Sequence, residues 1–267
     1  YIKGVWRWTL RTPFLNLKGG DPIYAFRIFS LSTPKKRLLQ ILITAVLIVC
    51  ICSLAVILTL AFRPLYYLDM DFLNIPKNAG LDAETVKRNY DVLIDYNLSF
   101  TENALRFPDL PMSKGGEQHF QEVKEIFSFF KISALVTLFP ALFGILFCLK
   151  KKLFSPLFFA GLGVIFLPVF LVSLVFMNWE ELFIDFHHLL FNNNLWLFSA
   201  ETDPIILQLP AEFFLHCALL LLLLVLLFGL LLLVFWFRME KKRPIFPISF
   251  AKIGNIRDFH KKHLQEH

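Results

Sequence analysis

Apolar residues in this chain gather into four long runs, 38–62, 132–149, 153–177 and 211–237, separated by polar stretches of unequal length. At 1.5 Å rise per residue each run is long enough for a helix to cross about 30 Å of hydrocarbon, with 132–149 at the short limit. The intervening segments read differently. In 63–131, a turn at Asn78-Ala79-Gly80 precedes a helix-start signal, with Asp82 as N-cap and Glu84 in the first turn. Val86, Tyr90, Leu93 and Ile94 then form one apolar stripe. Ser113 caps a second predicted helix, weakened at Gly115 and Gly116. It carries Glu117, His119, Glu122, Val123 and Ile126 and runs on into the second apolar run. In 178–210, Phe183, Phe186, His187, Leu190 and Phe191 recur at helical spacing on one face, with His188 on the other beside Asp185 and Asn192.

Composition fits this pattern. The chain is 57% apolar, contains 32 phenylalanines and has a mean hydropathy of +0.61, above the range of soluble domains. The predicted fold is an all-α membrane protein with four transmembrane helices. Its net charge of +6 would suggest nucleic acid in a soluble protein, but here the distribution is decisive. Lysine and arginine concentrate in the basic segments 1–37 and 238–267 and in the Lys150-Lys151-Lys152 turn, while 63–128 is net acidic and 178–210 has neither. The positive-inside rule therefore predicts both termini and the turn in the cytoplasm, and 63–131 and 178–210 outside as one small cap. The basic surplus is a topology signal and a contact for anionic membrane lipids, and no nucleic-acid partner is expected. Lys131, at the outer end of the second run, is expected to snorkel to the interface. Cys50, Cys52, Cys148 and Cys217 all lie within the apolar runs and read as packing residues.

The candidate chemistry is histidine-based. His187 lies in an apolar stripe, where an imidazole is satisfied by a hydrogen bond or functional. His119 repeats the theme from the other loop, with Glu117 and Glu122 nearby to orient it. His216, one turn inside the fourth run, can bond to the cap or sit in the interface. Two imidazoles suit proton shuttling in acyl transfer. A metal site built from His119, His187 and Asp203 is a second option, which would make the chain a metal-dependent membrane hydrolase. A non-catalytic binding protein of the membrane is a third.

Several motifs occur in order between the spans. Glu117-x-His119-Phe120-x-Glu122-Val123-Lys124 leads into a membrane helix. Phe186-His187 is followed by an Asn-rich turn ending in Trp196-Leu197. Asp203-Pro204-Ile205-Ile206 and Pro210-x-x-Phe213-Phe214 come next. With Leu73-Asn74-Ile75-Pro76, this arrangement over residues 38–237 resembles the bacterial lipoprotein intramolecular transacylase family. The resemblance implies four transmembrane helices and an extracellular cap in the bacterial cell membrane. It implies an acyltransferase that moves the sn-2 acyl chain of a diacylglyceryl-cysteine lipoprotein to its α-amino group, leaving a lyso-form lipoprotein. No cofactor is implied, because ester-to-amide transfer is downhill. The family's two catalytic histidines map onto His119 and His187. Glu117, Phe186, Phe191, Asn192, Asn193, Asn194, Trp196, Asp203 and His216 are candidates for the surrounding shell.

Overall fold

A computed structural model describes residues 29, 32–101, 104–175 and 178–242, with the side chains of 167–175 excluded. The terminal segments 1–28 and 243–267, where most of the basic tails lie, fall outside the described residues. Among the described residues there are eight α-helices and no strand. They are α1 (Pro34–Ala61), α2 (Arg63–Phe72), α3 (Ile75–Ala79), α4 (Ala83–Leu98), α5 (Lys114–Lys151), α6 (Ser155–Val175), α7 (Trp179–Leu190) and α8 (Ala211–Lys241), with a 3₁₀ turn at Pro204–Gln208. Three of them, α1, α5 and α8, are long and apolar enough to cross a membrane.

The local start signals operate as the sequence predicts. Asp82 accepts a hydrogen bond from the Thr85 N–H at 2.9 Å, and Ser113 accepts one from the Gly116 N–H at 2.9 Å. Each satisfies one of the orphan donors of a first helical turn. The predicted turn before α4 is instead a short helix, α3, which ends on left-handed Gly80. The first helix begins ahead of the apolar run, because Pro34 opens it and draws Lys35, Lys36 and Arg37 into its first turn.

α5 is the spine of the molecule. Its 38 residues extend about 57 Å at 1.5 Å per residue, more than a bilayer core requires. Its first half carries Lys114, Glu117, Glu122, Lys124, Glu125 and Lys131, too many charges for hydrocarbon. This half therefore stands outside the apolar span and packs in the cap.

Two cores result. The cap core stacks Tyr66 on Tyr90 at 3.6 Å and gathers Ile75, Val86, Leu93, Phe120, Ile205 and Phe213 around them. It ties the two loops together directly, since the Tyr66 hydroxyl donates to the Gln208 carbonyl at 2.8 Å. The second core joins α1, α5, α6 and α8 through Leu47, Ala141, Leu157, Phe158 and Trp236. α6 and α8 approach closely where Gly161 faces Gly229. A Cβ on either glycine would lie 3.1–3.2 Å from the other's carbonyl oxygen, the close backbone approach that small residues permit between packed helices.

Lys131 does not snorkel. It is buried, and its ammonium donates to the carbonyls of Asn97, Leu98 and Ser99 at 2.7, 3.1 and 2.9 Å. Three orphan acceptors at the C-terminus of α4, at the negative end of the helix dipole, hold the cation better than an interface would. The lysine thereby fastens α4 to α5.

Candidate active site

His119 lies one and a half turns into α5, and His187 lies in the last turn of α7. Separated by 68 positions in sequence, the two imidazoles have ring centroids 6.3 Å apart. Aromatic rings enclose them. Phe191 lies 4.7 Å from His119 and 5.9 Å from His187. Phe198 meets His119 edge-on at 5.4 Å, Trp196 stacks on His187 at 4.7 Å, and Phe183 lies 4.3 Å from His187.

The protonation states follow from these surroundings. His187 Nδ1 lies 2.7 Å from the Phe183 carbonyl oxygen. A carbonyl only accepts, so Nδ1 carries the proton and the neutral ring keeps its lone pair on Nε2. Burial pushes the His187 pKa down from the usual histidine value, with the Phe183 hydrogen bond opposing and His188 adding to the fall. His119 is 6% exposed, and its Nδ1 is buried without a hydrogen-bond partner. Burial, with a contribution from His187, lowers its pKa to about 4, against the opposing pull of Glu122. Both rings are therefore neutral near pH 7. One offers a lone pair of fixed direction and the other retains an uncommitted N–H.

The surrounding candidates divide. Phe191 and Trp196 are buried against the pair. Phe186 is 52% exposed and touches His187 only edge-on at 5.7 Å, because the α7 stripe is split. Phe183 and His187 turn inward, while Phe186 and Leu190 turn out. Asn192 and Asn194 are exposed. Of the three asparagines it is Asn193 that builds the site. Its side-chain N–H groups reach both carboxylate oxygens of Glu122 at 3.1 Å, its Oδ1 accepts from the Leu195 N–H, and its carbonyl accepts from the Trp196 indole N–H. Glu122, rather than exposed Glu117, is therefore the carboxylate linked to the second loop. Nothing local distinguishes the middle of three asparagines, but the i, i+3 spacing of His119 and Glu122 puts both on one side of α5.

Asp203 does not join the histidines. It is buried, its Oδ1 accepts from the Ser113 N–H at 2.8 Å and its Oδ2 from the Thr202 hydroxyl at 2.7 Å. It anchors the start of α5, and a Cβ on Gly116 would fall 2.2 Å from its Oδ1, so glycine is required there. Among the described residues no three His, Cys, Asp or Glu side chains are arranged to hold a metal ion. His216 bonds to the cap, with Nδ1 2.8 and 2.9 Å from the two carboxylate oxygens of buried Asp69.

Comparisons with known proteins agree with this arrangement. The family profile of the lipoprotein intramolecular transacylase Lit matches residues 41–214. The crystal structure of the membrane integral lipoprotein intramolecular transacylase Lit from Bacillus cereus superposes with a TM-score of 0.75 at 38% identity, covering 77% of this chain and 96% of that one. A structure of the same enzyme with one histidine replaced by arginine gives 0.70 at 35% identity, covering 82% and 95%. Among curated proteins none is significantly similar. The aromatic enclosure, the membrane helices and these matches together show that the chain belongs to the bacterial lipoprotein intramolecular transacylase family.

Proposed function

We propose that this protein moves the sn-2 acyl chain of a diacylglyceryl-cysteine lipoprotein from its glycerol oxygen to the α-amino group of the same molecule, with His119 and His187 as the catalytic pair. The supporting observation is the meeting of two neutral imidazoles, 6.3 Å apart, inside an aromatic enclosure where cap and membrane helices join. In this reading α6 is a fourth span, both termini face the cytoplasm, and the cap faces outside.

The difficulty of the reaction is orientation. Amine and ester sit on one flexible lipid, and holding them in a near-attack arrangement can supply about 7–11 kcal/mol in favourable cases. Phe183, Phe191, Trp196 and Phe198 provide rigid walls for this. The neutral amine attacks the ester carbonyl. His187, whose Nδ1–H is committed to Phe183, takes the proton from the attacking nitrogen on Nε2 and returns it to the departing glycerol oxygen. His119 keeps a free N–H in a dry site, which suits hydrogen bonding to the tetrahedral oxyanion. One C–N bond forms, one C–O bond breaks, and the proton passes from nitrogen to oxygen through His187, with no separate acyl carrier. The hydrolase alternative has less support, since the carboxylate of Asp203 is already engaged by Ser113 and Thr202.

The test is mass spectrometry of an N-terminal lipopeptide after expression in a host that makes diacyl lipoproteins. One acyl group should move to the amine at unchanged total mass. Persistence of the unmodified diacyl form with the wild-type chain would refute the reading.

A further inference from the structure

Beside the histidine pair runs a groove of about 440 Å³ between α5 and the end of α7. α5 contributes Glu122, Glu125, Ile126 and Phe129, and the end of α7 with the residues that follow it contributes Leu190, Phe191, Asn192 and Asn193, so each side carries both apolar and polar residues. Phe129 and Leu190 are 65% and 40% exposed, so the apolar part of the groove opens to the surface. Phe191 belongs both to this groove and to the histidine enclosure. Neither lysine nor arginine lines it, and the ammonium of Lys124 is occupied over the Tyr96 ring at 4.0 Å.

Glu122 is built into the groove rather than left loose on a helix face. Gln118 donates to Oε1 at 3.1 Å, and Asn193 donates to both oxygens at 3.1 Å. A carboxylate has about four acceptor positions, so these contacts fix its orientation and leave capacity for another donor. One turn earlier on the same helix, buried His119 holds an Nδ1 with no partner in the protein. An oriented anion, an amphipathic groove and an unsatisfied buried imidazole thus adjoin one another. The complementary ligand is a cation on a lipid.

We infer that Glu122, positioned by Asn193, binds the α-ammonium of the lipoprotein's N-terminal cysteine and so selects substrates whose amine is still free. This rests on the transacylase reading and adds a recognition residue to it. A free α-amino group has a pKa of about 8, so it arrives mostly as a cation and is drawn to the carboxylate. The groove is open, so the ammonium loses its first proton to water there before the neutral amine moves to the histidines. A lipoprotein already acylated on nitrogen has neither the charge nor the N–H donors and gains nothing from Glu122.

Binding separates this from catalysis. The probe is an ether-linked dialkylglyceryl-cysteine lipopeptide, which has no acyl group to transfer, and its N-acetylated twin. Each is titrated against the full chain in detergent. Wild type should bind the free amine about tenfold more tightly than the twin, the size of one charge-assisted hydrogen bond. Glu122→Gln should bind the two alike, with its affinity for the acetylated twin unchanged, which also shows that the variant is folded. Equal binding by wild type, or a preference that survives E122Q, overturns the ammonium site alone. Binding of neither probe overturns it together with the transacylase reading.

Discussion

His119 and His216 both lie close to the junction of cap and spans, yet their surroundings are opposites. His216 is half-buried and has a carboxylate of its own, with both Asp69 oxygens within 2.9 Å. His119 is buried among aromatic rings, its Nδ1 has no partner, and the carboxylate that acts on it, Glu122, is held by Gln118 and Asn193. A histidine locked to a buried carboxylate serves as a fastener, here joining α8 to α2. One kept neutral and unpaired in a dry enclosure is available for chemistry. The contrast shows why a polar residue near a membrane surface cannot be assigned a role from its type alone.

The largest effect separating the two should be catalytic. His187→Ala and His119→Ala should each lower acyl transfer about 10²- to 10⁴-fold, measured as the rate of amide formation on a diacyl lipopeptide. His216→Leu should leave the rate per folded molecule within a few-fold of wild type. If His216→Leu matched the other two, the division would be lost.

Acid sharpens the same contrast. A solvated histidine titrates near 6.5, and folded His119 does so at about 4. Between these values the unfolded chain holds a proton that the folded chain does not, so stability falls as pH falls through that window. The full loss is on the order of 3 kcal/mol. Thermal unfolding in detergent between pH 6.5 and 4 should therefore be less pH-dependent in His119→Gln than in wild type.

His216→Leu should instead act on stability, by leaving the Asp69 carboxylate buried without its partner. A cost of about 2–3 kcal/mol is expected, read as a lower unfolding temperature at neutral pH. The smallest effect should come from Lys131→Met, which removes the cation from three carbonyls at the end of α4 without touching either histidine. About 1–2 kcal/mol of stability should be lost, with transfer by the remaining folded protein preserved.

What could be read from the sequence was mostly local. Hydrophobic run length marks α1, α5 and α8 as long and apolar enough to span, and the Asp82 and Ser113 caps depend on neighbours three residues away. His187 separates from His188 by helical period, and its partner in the Phe183 carbonyl lies one turn back. The rest depends on contacts between distant segments, which no period encodes. Asn193 meets Glu122 across 71 positions and Asp69 meets His216 across 147. Lys131 looked like an interface residue because its acceptors, the carbonyls ending α4, are backbone atoms with no residue-type signature. The α7 stripe misleads for a further reason. One apolar face can serve two environments, so Phe186 turns outward although it shares the period of His187.

The most direct measurement is tandem mass spectrometry of a purified diacyl lipopeptide incubated with wild type, His119→Ala or His187→Ala. Wild type should yield a product of identical mass with one acyl chain on the cysteine nitrogen, and both variants should leave the peptide unchanged over the same interval. Amide formed at the wild-type rate by either variant would contradict catalysis by the histidine pair.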